Sequence, residues 1–138
     1  MKKEKIMNKR QKQLKRICGN KTHRYKIKQL WNLNDYLSEH IYYALKQFKE
    51  LQELYSYPGE LKSVKKWEEI LDKMIWSFRE IKDGYINDPL MEYLEKHNKN
   101  DSNSEKLLNE ERKNQELYCE KIQEGLDLFA KYIQHLWT

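Results

Sequence analysis

Glycine and proline are scarce in this chain, with four of the first and two of the second among 138 residues. A turn-rich β protein needs both at short intervals, so that class is excluded. No run of about eighteen apolar residues occurs, and no transmembrane helix is expected. The N-terminus is basic but has no apolar h-region, and it is not expected to act as a secretory signal. Only two cysteines are present, Cys18 and Cys119, neither in a CxxC pair. They read as free thiols of a reducing cytoplasm rather than as a structural disulfide.

Chemistry-bearing motifs are missing too. The histidines, His23, His40, His97 and His135, show neither HExxH nor ExxH spacing. With two isolated cysteines they make no zinc site. There is no P-loop, no GxGxxG and no GxSxG. Carboxylate-rich stretches such as Glu68-Glu69 with Asp72 match solvated helix faces better than a general acid/base pair. No enzyme and no cofactor are expected from these residues.

Helix formers dominate what is present: Lys, Glu, Leu and Gln are abundant. The apolar fraction is a low 38%, but four Trp, ten Tyr and three Phe supply core material. Each aromatic can bury roughly 150–250 Å². Residues 2–17 read as a charged helix with a thin apolar stripe of Ile6, Leu14 and Ile17, closed by Gly19, and 20–33 as a connector. A helix capped by Asn34 or Asp35 should follow, with Leu37, Ile41, Ala44, Leu45, Phe48 and Leu51 on one face, ending before Tyr57-Pro58-Gly59. Ser63 caps the clearest helix, whose stripe is Val64, Trp67, Leu71, Met74, Ile75, Phe78 and Ile81, ending near Gly84. Asp88-Pro89 opens a short helix. After a polar loop at 97–103, Ser104 caps a long helix to about Leu136, lined by residues from Leu107 through Tyr118, Ile122 and Phe129. The fold expected is all-α. It is a bundle domain of three or four main helices over residues 32–138, behind a basic N-terminal helical arm over 1–31.

Several residues break the stripes. Trp76 lies nearly opposite the apolar face of its own helix, beside Asp72, Lys73, Arg79 and Glu80. Tyr42 is likewise turned away from its stripe, among Glu39, Lys46, Lys49 and Glu53. A covering helix such as the arm, a subunit contact or a base-stacking surface would each explain them; self-association anchored on Trp76 is the expectation carried forward. In the long helix Glu111 sits on the apolar stripe with Asn114 and Gln115 beside it. Either that end projects beyond the core or these groups line a polar cavity. Gly125, inside the same helix, points to close approach of another helix.

The charge is unevenly placed. Residues 1–31 hold twelve Lys or Arg and one acid, Glu4, for +11, while 32–138 hold fifteen and twenty-one, for −6. Lys9, Arg10, Lys12, Lys15, Arg16, Lys21, Arg24, Lys26 and Lys28 put cations on all sides of the arm. Such a segment can follow a phosphate backbone, with Tyr25 and Trp31 available to stack on bases. A solvated tail docked loosely on the acidic body is the alternative.

Four stretches carry a resemblance: W-N-L-N-D-Y-L at 31–37, F-K-E at 48–50, Y-P-G-E-L at 57–61 and W-E-E-I-L-D-K-M-I-W-S-F at 67–78. E-G-L-D-L-F-A-K-Y-I-Q-H-L-W at 124–137 is a fifth. Together they resemble a widespread group of small uncharacterised proteins of tailed bacteriophages and prophages, over about half the chain. The resemblance implies a bacterial host cytoplasm during infection, where small phage proteins without catalytic motifs often act by binding. The function expected is therefore non-enzymatic binding of an anionic ligand: a nucleic acid, a nucleotide signal or a nucleic-acid-containing host complex. A host-defence antagonist, such as a CRISPR inhibitor or a nucleotide-signal sponge, is one concrete form, and a homo-oligomer is expected. The alternative is a phage structural or assembly protein whose arm contacts DNA or an acidic subunit.

Overall fold

The computed structural model describes residues 8, 9, 12, 16, 25–51, 57–96 and 104–137. Helices α1 (Ile27–Trp31), α2 (Leu33–Glu50), α3 (Val64–Lys82), α4 (Pro89–Lys96) and α5 (Ser104–Tyr132) follow one another, with 3-10 turns at Gly59–Leu61 and Ile133–His135. No strand occurs among the described residues. The molecule is the all-α bundle expected from composition, and no described helix is long and apolar enough to cross a membrane.

Local chemistry sets the helix ends. Ser63 takes extended backbone angles, and its hydroxyl accepts a bond from the Lys66 N–H at 3.2 Å, satisfying a donor the helix leaves open. Asp88 does the same for α4, accepting from the Leu90 N–H at 2.9 Å, and Pro89 fills the first helical position. Two bonds close α3: Gly84 N–H to the Ile81 carbonyl at 3.1 Å, and Tyr85 N–H to the Glu80 carbonyl at 2.8 Å. This closure needs left-handed backbone, with φ of +74° at Gly84, and it forces +61° on Tyr85 as well. The expected connector is partly helical, because α1 occupies its last residues and packs on α2. The expected helix over 2–17 and the loop at 97–103 lie outside the described residues, apart from Lys9, Lys12 and Arg16, which are helical.

Helix α3 is the middle of the bundle. It packs against α2 on one flank and α5 on the other, while α4 packs on α5. Both neighbours run antiparallel to it: Lys49 near the end of α2 pairs with Asp72, and Lys82 covers Tyr42. On the other flank Tyr118 meets Glu80 and Lys73 meets Glu124. Trp67, Leu71, Met74 and Phe78 are buried with Leu45 of α2 and Tyr132 of α5. The rings meet edge to face, Trp67 with Tyr132 at 5.5 Å and Phe78 with Phe129 at 4.9 Å between centroids. The stripes run past this core. Leu37, Leu51, Val64 and Leu107, all expected on apolar faces, are exposed, because each lies beyond or beside the stretch that α3 and its neighbours cover.

Gly125 sits where α3 and α5 come closest. A methyl built there would lie 1.9 Å from the Ser77 hydroxyl and 2.5 Å from the Lys73 carbonyl oxygen. The close approach expected from a glycine inside a helix is present, and Ser77 supplies the small residue on the facing side, fully buried.

Candidate anion-binding arm and the polar cluster of the body

Six of the ten arm residues singled out from the sequence are described: Lys9, Lys12, Arg16, Tyr25, Lys26 and Lys28. Arg10, Lys15, Lys21 and Arg24 lie outside the described residues. Lys9, Lys12 and Arg16 are helical and exposed. The Lys12 N–H bonds back to the Asn8 carbonyl at 3.1 Å, one helical turn earlier. Lys26 caps α1, its N–H bonded to the Gln29 side chain at 2.8 Å, and its ammonium group and that of Lys28 belong to exposed residues. Tyr25 rests edge-on against Tyr36 with centroids 6.3 Å apart, whereas Trp31 is 62% exposed.

The body's cations are arranged differently. Its ion pairs are Lys49–Asp72, Lys73–Glu124 at 2.7 Å, Arg79–Glu80 at 3.5 Å, Lys82–Asp83 at 2.6 Å and Lys96–Glu92 at 2.7 Å. Among the described residues, none of these pairs includes an arm cation. The hydrogen bond and charge of Asp83 hold the Lys82 ammonium above its ordinary pKa, so Lys82 stays cationic.

Trp76 does not stand on a free face. Its ring meets Tyr118 of α5 edge to face at 5.8 Å, and the Lys121 ammonium lies 4.0 Å from its centroid. Among the described residues the element that covers it is α5, which lies along the flank of α3 that carries Ser77 and Glu80 and whose side chains reach round to Trp76. Trp76 is half-buried by these contacts, with part of its ring still at the surface. Tyr42 is half-buried, partly packed on the core, with the ammonium groups of Lys82 and Lys46 at 5.1 and 5.3 Å from its ring. Arg79 is exposed, its side chain 45% open to solvent beside Glu80. Trp76, Tyr42 and Arg79 are thus engaged within the fold, in cation–π and ion-pair contacts.

Sequence reasoning missed the centre of the polar network. Glu80, placed on a charged face by the helical wheel, is 1% exposed. Its carboxylate accepts two bonds from the Asn87 amide, at 2.8 and 3.1 Å, and one from the Tyr118 hydroxyl at 2.8 Å. Arg79 adds a cation at 3.5 Å. A buried carboxylate is tolerated when its acceptor sites are filled in this way. The signal available in the sequence was Tyr118 itself: a tyrosine on an apolar stripe needs a partner for its hydroxyl. Glu111, Asn114 and Gln115 take different partners. Gln115 donates to Asp88 at 2.8 Å, and Asn114 is exposed and donates to Glu111 at 3.4 Å.

Burial, and then the Glu80 carboxylate, push the Tyr118 phenol well above the ordinary tyrosine range. A raised folded-state pKa means that this contribution to stability is complete below the unfolded value of 10.0 and is lost as pH climbs past it. Tyr118→Phe keeps the ring against Trp76 but leaves Glu80 short of a donor. In urea titration it is expected to cost about 1.5–3 kcal/mol, the worth of a hydrogen bond to a charged group. The same change at exposed Tyr43 should cost little, and equal effects at the two sites would contradict the account.

The described residues contain no group of three or more His, Cys, Asp or Glu placed to hold a metal ion. Comparison of the chain with protein-family models, with curated proteins and with solved structures gives no match.

Proposed function

We propose that this is a non-enzymatic, phage-type binding protein whose N-terminal arm engages an anionic ligand. The ligand is a nucleic acid, a nucleotide signal or a nucleic-acid-containing host complex, met in the cytoplasm of a bacterial host by a homo-oligomer. A host-defence antagonist is the concrete form of this reading. The contrast in charge carries it. Five of the body's cations are held in internal ion pairs and its net charge is −6, while residues 1–31 keep a net +11, with Lys9, Lys12 and Arg16 helical and exposed. Such a segment gains affinity by displacing counterions from a phosphate backbone.

If the arm neutralises about six phosphates, the log–log salt slope on duplex DNA is expected near −5. Reversing three charges in the full chain, Lys9→Glu with Lys12→Glu and Arg16→Glu, should flatten that slope by about three, roughly one per phosphate contact removed. The circular dichroism spectrum should remain helical. Titrations at several salt concentrations provide the measurement. Binding that ignores salt, or that survives the triple reversal, argues against an arm-based mechanism.

A further inference from the structure

The arm joins the described fold at the first turn of α2. Tyr25 and Tyr36 would stand about 16 Å apart along the axis of one continuous helix. Their rings instead meet, with centroids 6.3 Å apart. Asn32, with φ of −117° and ψ of 49°, breaks the helical path between α1 and α2 and lets α1 fold back on α2. Tyr36 is also the first residue of a groove along α2, lined by Tyr36, Glu39, His40, Tyr43, Ala44 and Gln47. At about 100° per residue, all but Ala44 fall within an arc of roughly 100°, opposite Ser38 and Leu45, which face α3 and are buried. Glu39, His40, Tyr43, Ala44 and Gln47 are all exposed. The groove holds one carboxylate and neither Lys nor Arg, and neighbouring Lys46 turns its ammonium to Tyr42, 5.3 Å from that ring.

We propose that this groove seats the chain's own basic arm, and that a polyanion draws the arm off as it binds. The proposal rests on the anion-binding arm described under the proposed function and adds its regulation. The arm is the occupant that position, length and charge favour. It meets the fold at the Tyr36 end of the groove, where Tyr25 is already seated. The groove runs about 16 Å from Tyr36 to Gln47, and seven extended residues before Tyr25 span about 23 Å. Residues 1–31 carry +11, and Glu39 lines the groove, with Asp35 and Glu50 exposed on the same rim. The tether holds the arm near the groove at a roughly millimolar effective concentration, so contacts too weak to hold a free peptide suffice. Lys9, Lys12 and Arg16, farther along the arm, are exposed and give a polyanion its first contact. Only chains with a free arm bind fully, which lowers the apparent affinity in proportion.

A nitroxide spin label on Cys18 tests the seat in the full chain. Cys119→Ser removes the exposed second thiol and leaves Cys18 as the single attachment point. The amide NMR signals of Glu39, His40, Tyr43 and Gln47 are expected to weaken, while those of Glu120 and Asp127 on α5 keep their strength. Saturating duplex DNA at low salt should restore the weakened set. Tyr43→Ala combined with Glu39→Gln, both at exposed positions, should abolish the weakening. If about three quarters of the chains are docked, the same pair should tighten duplex binding about fourfold, and Glu120→Gln, an equal change of charge on α5, should not. Uniform or absent weakening along α2 overturns the docking and leaves arm-based binding standing. Weakening that persists while DNA is bound overturns the displacement, and with it the arm as the anion-binding element. Weakening in an isotope-enriched chain mixed with unenriched, spin-labelled chain places the arm on a second copy and overturns docking within one chain.

Discussion

Replacing Trp67 with alanine is expected to remove about 3–5 kcal/mol of folding stability, the usual cost of deleting a large buried aromatic. The residue is fully buried at the centre of the core, edge-on to Tyr132, beside Leu71 and Met74. Small domains hold only about 5–15 kcal/mol in total, so such a variant would sit close to unfolding at 25 °C. Trp67→Phe separates two parts of this effect. The indole N–H is buried with no hydrogen-bond partner among the described residues. An unmet donor costs roughly 1–3 kcal/mol, and phenylalanine removes the donor together with part of the ring. Trp67→Phe should therefore fall well short of the loss in Trp67→Ala. Thermal and urea unfolding of the two variants provides the check, and a Trp67→Ala chain as stable as the parent would disprove the core described above.

The second large effect is expected at Gly125. A Cβ there would lie 1.9 Å from the Ser77 hydroxyl, 2.6 Å from the Ser77 Cβ and 2.5 Å from the Lys73 carbonyl oxygen. The hydroxyl can rotate away, but the carbonyl belongs to the backbone of α3 and cannot. Relief therefore requires α3 and α5 to separate along the seam that also carries Glu80 and Tyr118. Valine adds two more carbons and gains less helix propensity than alanine would. Gly125→Val is expected to cost about 3 kcal/mol or more, at or above the upper end for overpacked interiors. Removing the facing side chain with Ser77→Gly should recover only part of that loss, because the Lys73 carbonyl remains. Full recovery in the double variant, measured by urea unfolding, would place the obstruction on Ser77 alone.

Much of the framework was legible in the sequence. The caps at Ser63 and Asp88 act within four residues, so their spacing was enough to place the starts of α3 and α4. The α3 stripe is buried from Trp67 to Ile81, where that helix meets its neighbours, and the Gly125 contact was announced by the cost of glycine inside a helix. The outer half of α2 was not legible. Periodicity showed that Leu37 and Leu51 are apolar, but it could not say which arc of the helix a neighbour would cover. Glu80 was missed for the converse reason. A helical wheel divides residues by their own polarity, and Glu80 is buried by the positions of Tyr118 and Asn87, fixed only once α5 and the 83–88 turn are in place. The arm's charge was read directly from composition. What it contacts depends on a partner and leaves no periodic trace.

Because α3 is the main packing partner of both α2 and α5, the described bundle behaves as one cooperative unit rather than as two helical hairpins. A fluctuation that loosens α3 withdraws burial from both neighbours at once, so partially folded forms that keep either pair intact gain little over the open chain. The short helix α4, with no buried residue of its own, stands at the edge of this unit and can open while the central three hold. The energetic centre of the chain is thus one nineteen-residue helix, and sequence change should be tolerated least along its Trp67-to-Ile81 face.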